Sequence, residues 1–108
     1  MQTEQDSSKN TVFQSELMIK NADGLHMRPA MQFVDVANQF DCDITVSNDR
    51  TSVDAKSIMQ MSMLAATCGT KLKITAAGPD AERAIEALKR LVEVTMFDEP
   101  PPQDNGKK

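Results

Sequence analysis

The chain has 108 residues, 40% of them hydrophobic and 26% charged, with a net charge of -4; this is the size and balance of one soluble, folded domain and not of a disordered chain. No apolar run approaches the ~20 residues of a membrane span, and residues 1–11 are polar, without the apolar core and small-residue cleavage site of a secretion signal. An acidic balance without tryptophan or tyrosine leaves nucleic acid neither an electrostatic footprint nor a stacking platform, so the expected setting is the cytoplasm and the expected partners are proteins.

From Val12 to Ile19 the residues alternate, with Phe13, Leu17 and Ile19 on one face, as in a half-buried strand. Asn21-Ala22-Asp23-Gly24 breaks it with turn residues. Beyond Pro29, the spacing of Ala30, Phe33, Val34, Ala37 and Phe40 predicts an amphipathic helix, and a proline is tolerated in the first turn, where N–H groups are spare. Ile44 and Val46 alternate with polar neighbours, Asn48-Asp49 marks a tight turn, and Thr51 to Val53 returns as a second strand, a predicted hairpin. Ser57 to about Ala66 is predicted as a broadly apolar helix, with Ile58, Met61 and Ala65 on one side and Met59 and Met63 on another.

Lys71 to Ala76 alternates again, Leu72, Ile74 and Ala76 facing one way. Gly78-Pro79-Asp80 stops that strand and opens a helix with favourable negative charge in its first turn. Its stripe of Ala81, Ala84, Ile85, Leu88, Leu91, Val92 and Thr95 is the strongest periodic signal in the chain. Eight methionines against four phenylalanines predict that methionine fills part of the core. Pro100-Pro101-Pro102 ends the folded part. The predicted division is therefore a flexible tail over 1–11, one domain over 12–97 and a flexible Pro-rich tail over 98–108.

The order of elements is βαββαβα. Four strands with one apolar face each need a single covering layer, which predicts an α+β fold of two layers, three helices on one face of an open sheet. Cys42 and Cys68 form neither a CxxC pair nor a disulfide framework, and His26 alone cannot complete a zinc site with them, so no metal or cofactor is expected.

Gly24-Leu25-His26-Met27-Arg28-Pro29-Ala30 sets the only histidine at the start of a helix, with an arginine two positions later. Near neutral pH a neutral imidazole offers a ring nitrogen that can attack phosphorus. Free backbone N–H groups at a helix start can hold phosphoryl oxygens, and Arg28 can add a charged donor fork. Phosphoryl transfer needs little beyond such positioning and charge stabilisation. Taken alone, a single histidine is more often a surface residue with no task.

The segment resembles the active-site signature of HPr, the histidine-containing phosphocarrier family of the bacterial phosphoenolpyruvate-dependent phosphotransferase system. The resemblance runs from Val12 to Val94 and includes Gln32-Phe33-Val34, Val53-Asp54-Ala55-Lys56-Ser57-Ile58-Met59 and Thr75-Ala76-Ala77-Gly78-Pro79-Asp80-Ala81. It implies an open-faced β-sandwich with a four-stranded antiparallel sheet, monomeric. It implies that His26 accepts phosphate at Nδ1 from enzyme I and donates it to IIA proteins or domains, with Arg28 assisting, as a stoichiometric carrier and not an enzyme. Ser57, a candidate helix cap by type, resembles the serine phosphorylated by HPr kinase/phosphorylase. The family's partner-binding surface would fall on Met27, Lys56, Ile58 and Met59.

Four features depart from the family pattern. Met27 stands where alanine or threonine is common, and Asp35 and Asn38 stand where some members carry lysines that face acidic partners. Leu64-Ala65 replaces a leucine-glycine, and both tails extend a minimal domain. The rival readings are a regulatory phosphocarrier, nitrogen-related or kinase-linked, that does not serve sugar uptake; a small acylphosphatase-like hydrolase; and an interaction module with a silent histidine.

Overall fold

The computed structural model describes residues 12–64, 66–95 and 97; the two predicted tails, 1–11 and 98–108, lie outside the described residues. Alternation makes four strands: β1 (Val12–Met18), β2 (Asp43–Ser47), β3 (Ser52–Asp54) and β4 (Lys71–Ala77). They form one antiparallel sheet in the order β1-β4-β2-β3, so the chain threads β4 between the first strand and the hairpin. Ser15 pairs with Ile74 and Val46 also pairs with Ile74, which puts the inward side chains of three strands in one row.

One face of every strand is buried: Leu17, Ile44, Val46, Val53, Leu72, Ile74 and Ala76 all point into the core, while Lys71 and Lys73 are exposed. Three helices cover that face: α1 (Met27–Ala37), α2 (Ile58–Ser62) and α3 (Ala81–Lys89), the last continued by a π-helical turn over Arg90–Val94. α1 buries Pro29, Ala30, Phe33 and Ala37, and α3 buries Ala81, Ala84, Ile85 and Leu88. Full burial of a leucine or phenylalanine stabilises by about 1.5–3 kcal/mol, so α1 and α3 carry most of the layer. α2 contributes only Met61. The hairpin turn is set by Asn48, whose Oδ1 accepts the N–H groups of Arg50 (2.8 Å) and Thr51 (2.9 Å), an Asx turn.

α3 also closes the outer edge of β1. The Met18 N–H donates to Glu93 Oε2 at 2.8 Å, and Lys89 Nζ donates to the Glu16 carbonyl at 3.1 Å. These side chains occupy backbone groups that an edge strand would otherwise offer to another chain.

Three elements differ from the sequence pattern. α1 stops at Ala37, short of Phe40, which lies beyond the helix and packs half-buried against the core. α2 stops at Ser62, several residues short of the predicted end near Ala66, because Leu64 turns inward and the Ala66 carbonyl is used elsewhere, by the Leu25 N–H; Ala65 lies outside the described residues. The last helix changes pitch after Lys89. The Thr95 N–H bonds to the carbonyl of Arg90, five residues back, at 3.0 Å, and this wider turn rotates Thr95 off the apolar stripe to the surface while Val92 stays buried. Phe97, at φ 58, returns to the core fully buried.

Candidate functional site

His26 stands on a loop tied down at both ends. The turn before it closes with the Gly24 N–H on the Asn21 carbonyl (3.1 Å) and the Asn21 Nδ2 on the Gly24 carbonyl (2.8 Å). Gly24 has φ 74, and a Cβ there would lie 2.6 Å from the Ala66 carbonyl oxygen and 2.9 Å from Thr67 Cα. Only glycine allows both the conformation and the approach. The next residue, Leu25, is buried and donates its N–H to Ala66 at 2.8 Å. The loop over 66–70 is in turn held to the end of β1 through the Gly69 N–H on the Ile19 carbonyl, 2.7 Å.

On this base His26 is the N-cap of α1, with extended backbone (φ -84, ψ -172), and is exposed. The sequence places it among the first helical residues; it lies one position outside, and its side chain does not cap the helix. The first internal bond of α1 runs from the Ala30 N–H to the His26 carbonyl, 2.9 Å. Pro29 has no N–H, so the amides of Met27 and Arg28 are the two that helix geometry leaves without an intrahelical carbonyl. Arg28 is exposed beside them. An anion held here could draw on the two amides and the positive end of a helix dipole, with the exposed Arg28 two residues from the histidine as a source of a guanidinium.

One residue on, an apolar groove opens between α1 and α2, lined by Met27, Met31, Val34, Ile58, Met59 and Ser62, with Asp35 as its only charged residue. Met27, Ile58 and Met59 of the sequence-derived docking set meet in it. Lys56 does not line it: its Nζ donates to the Phe40 carbonyl at 2.8 Å. Met31, Val34 and Ser62 are missing from the sequence-derived set. Ser57 is the N-cap of α2, and its Oγ accepts the Gln60 N–H at 3.3 Å; Gln60 Oε1 accepts the Asp54 N–H at 2.9 Å. Asn38 Nδ2 donates to the Val34 carbonyl at 2.9 Å.

A larger groove, about 650 Å3 against about 480 Å3, runs along α3 past Phe40, Arg83, Glu86 and Arg90. It mixes charges of both signs, and no histidine, cysteine, serine or threonine lines it. Cys42 is buried, and burial, the largest influence, pushes its thiol up, with Lys56 opposing and Asp80, Asp41 and Asp43 adding to the rise. Cys68 is an exposed free thiol. Among the described residues no helix is long and apolar enough to cross a membrane.

Comparison with known proteins places these features in one family. Residues 13–94 match the family model described as PTS HPr component phosphorylation site. The chain is 40% identical over 82 residues to the phosphocarrier protein HPr of Vibrio cholerae serotype O1, an alignment covering 76% of this chain and 96% of that one. The multiphosphoryl transfer protein of Escherichia coli O157:H7 is 38% identical over 89 residues, 80% of this chain and 24% of its own length. The crystal structure of HPr from Thermoanaerobacter tengcongensis superposes with a TM-score of 0.77 at 42% identity, over 82% of this chain and 98% of that one.

Proposed function

The chain belongs to the HPr family of phosphocarrier proteins, and from that premise we propose that His26 accepts a phosphoryl group from enzyme I, charged by phosphoenolpyruvate, and passes it to IIA proteins or domains. The observation that carries this reading is the position of His26: exposed at the N-cap of α1, beside the two amides without intrahelical partners, and one residue from the mouth of the apolar groove. In the transfer, a lone pair of the neutral imidazole forms the N–P bond as the bond between phosphorus and its donor breaks. The family resemblance assigns Nδ1 as the reacting nitrogen. The amides of Met27 and Arg28 and the guanidinium of Arg28 hold the three oxygens over which charge spreads. Transfer onward reverses these roles. The protein is then a stoichiometric carrier, with one phosphate per chain and no turnover of its own.

The groove of Met27, Met31, Val34, Ile58 and Met59 is the docking surface of this reading. Three thioethers make a surface that can repack against more than one apolar partner, which suits a carrier that meets a donor and several acceptors in turn. Phosphorylation of Ser57 by HPr kinase/phosphorylase fits the same reading, since Ile58 and Met59 of the groove directly follow it. Asp35 favours a second reading of purpose, in which the same chemistry serves regulation and not sugar uptake. It puts a carboxylate on the groove where some family members carry a lysine facing acidic partners.

The test is incubation with enzyme I and phosphoenolpyruvate, followed by intact-protein mass spectrometry at neutral and acid pH. One acid-labile phosphate is expected, absent from His26→Ala. Undiminished labelling of His26→Ala overturns the assignment, and continuous release of phosphate points to a hydrolase.

A further inference from the structure

Among the described methionines, those of the groove differ sharply in exposure from the one beneath it. Met27, Met31 and Met59 are 55%, 51% and 77% exposed, whereas Met61, on the opposite side of α2, is 0% exposed. An exposed thioether reacts with two-electron oxidants such as hydrogen peroxide or a hypohalous acid; a sulfur sealed in a core does not meet them. With peroxide, one oxygen adds to sulfur, the O–O bond breaks and water leaves: sulfur loses two electrons and the peroxide gains them. The product, a sulfoxide, carries a strong hydrogen-bond acceptor where the thioether had almost none.

We propose that Met27, Met31 and Met59 form an oxidation site that switches the groove: their conversion to sulfoxides blocks docking, and their reduction restores it. The inference rests on the reading of the groove as the docking surface for phosphoryl transfer. It follows from three sulfurs out of the groove's few lining residues. Each sulfoxide oxygen binds water that an apolar partner face must strip away, and a desolvated dipole without a partner is costly. The fold is not at risk, because these side chains lie outside the core that Phe33, Met61 and Leu88 fill. His26 keeps its ring nitrogen, its supporting loop and its two neighbouring amides, so the switch acts on encounter and not on the imidazole. Methionine sulfoxide reductases, using a dithiol that becomes a disulfide as water is released, remove the oxygen.

The experiment uses the full chain in a Cys68→Ser background, which removes the exposed thiol that competes for oxidant. Native protein is treated with hydrogen peroxide, peptide mass spectrometry locates the added oxygen, and the rate of His26 phosphorylation by enzyme I is compared with that of the same protein before treatment. The expected result is oxygen on Met27, Met31 and Met59 but not Met61, an unchanged melting temperature and a transfer rate about tenfold lower or more, restored by the two epimer-specific reductases with dithiothreitol. Met27→Leu/Met31→Leu/Met59→Leu should keep its own untreated rate through the treatment. Met63→Leu, altered at a methionine that is 68% exposed but outside the groove lining, should remain as sensitive as its parent. Oxygen on the three groove methionines with no loss of rate overturns the inference, as does equal loss in the triple variant. Oxidised Met61 with a lowered melting temperature also overturns it, as damage to the core. A protein that takes no phosphate before treatment overturns the carrier reading itself, a distinct result.

Discussion

The two sides of the helical layer treat their apolar residues in opposite ways. α3 turns Ala81, Ala84, Ile85 and Leu88 inward and presents Glu82, Arg83 and Glu86 to water; even its Lys89 and the following Glu93 serve the fold by covering the β1 edge. α1, α2 and Met63, which follows α2, leave Met27, Met31, Met59 and Met63 more than half exposed. Val94, 62% exposed, is the exception on the α3 side. On the proposed docking reading, one layer is divided between a region complete in itself and a region that partners complete. An apolar side chain more than half exposed at a helix–helix groove adds little to the isolated chain and gains most when a partner covers it.

The largest expected effect tests the self-contained side. Leu88 is 0% exposed beneath α3, and Leu88→Ala should lose about 2–5 kcal/mol of stability through lost burial and the cavity left behind. At temperatures where the variant is still folded, His26 should take up phosphate at the wild-type rate. Thermal unfolding together with transfer kinetics checks this; slow transfer in a folded Leu88→Ala protein breaks the division, because it couples α3 to the site.

Arg28→Ala probes the other side and should invert that pattern. The guanidinium is exposed and supports no core residue, so the melting temperature should hold. Loss of a charge-assisted contact of ~1.5–3 kcal/mol made in the transition state slows transfer by roughly ten- to hundredfold. Stopped-flow transfer from phosphorylated enzyme I gives the rate. A folded variant with unchanged kinetics removes Arg28 from the site.

The same division explains what could be read from the sequence. Alternation in β1 and β4 and the helical stripe of α3 report burial against one neighbour, which a local pattern records faithfully: Leu17, Ile74 and Leu88 are all buried as their spacing predicts. Asn48 announced its turn because the Asx bonds are local. The histidine segment was legible for the same reason, its residues lying together in the chain. The groove was only half legible, since Met31 and Val34 meet Ile58 and Ser62 through packing between distant helices and have no signal within either. Lys56 carried no sign that its ammonium would be drawn to the Phe40 carbonyl. Gly24 showed as a turn residue, but its need to touch Ala66 depends on a loop more than forty residues away. The pitch change after Lys89 is equally invisible, because the apolar spacing continues through it as an ordinary helix would.

The smallest expected effect on stability falls at Ser57, where both descriptions meet in one side chain. As a cap, its Oγ holds the Gln60 N–H at 3.3 Å, a long bond, and α2 is also held by Gln60 itself, through the Asp54 N–H at 2.9 Å. Ser57→Ala should therefore cost about 0.5–1 kcal/mol, the low end for an N-cap, and leave transfer to His26 unchanged. Phosphorylated Ser57 should behave differently. The added phosphate brings about -1.5 to -2 charges to the start of α2, where a negative group is tolerated by the helix dipole, so the melting temperature should stay level or rise. The same charge stands immediately before Ile58 and Met59, and an apolar partner that covers the groove must strip its water. Asp35 already gives the groove one negative charge, so a second repels any acidic partner further and recruits no cation from the groove lining. The expected outcome is slower phosphorylation of His26 by enzyme I with no loss of stability, and the slowing should shrink as salt is raised, because repulsion between exposed charges is screened. The measurement pairs thermal unfolding with transfer rates at low and high salt for wild type, Ser57→Ala and the enzymatically phosphorylated protein. A wild-type rate for the phosphorylated protein reduces Ser57 to a helix cap, whereas a lowered melting temperature assigns the effect to the fold of α2 and not to its surface.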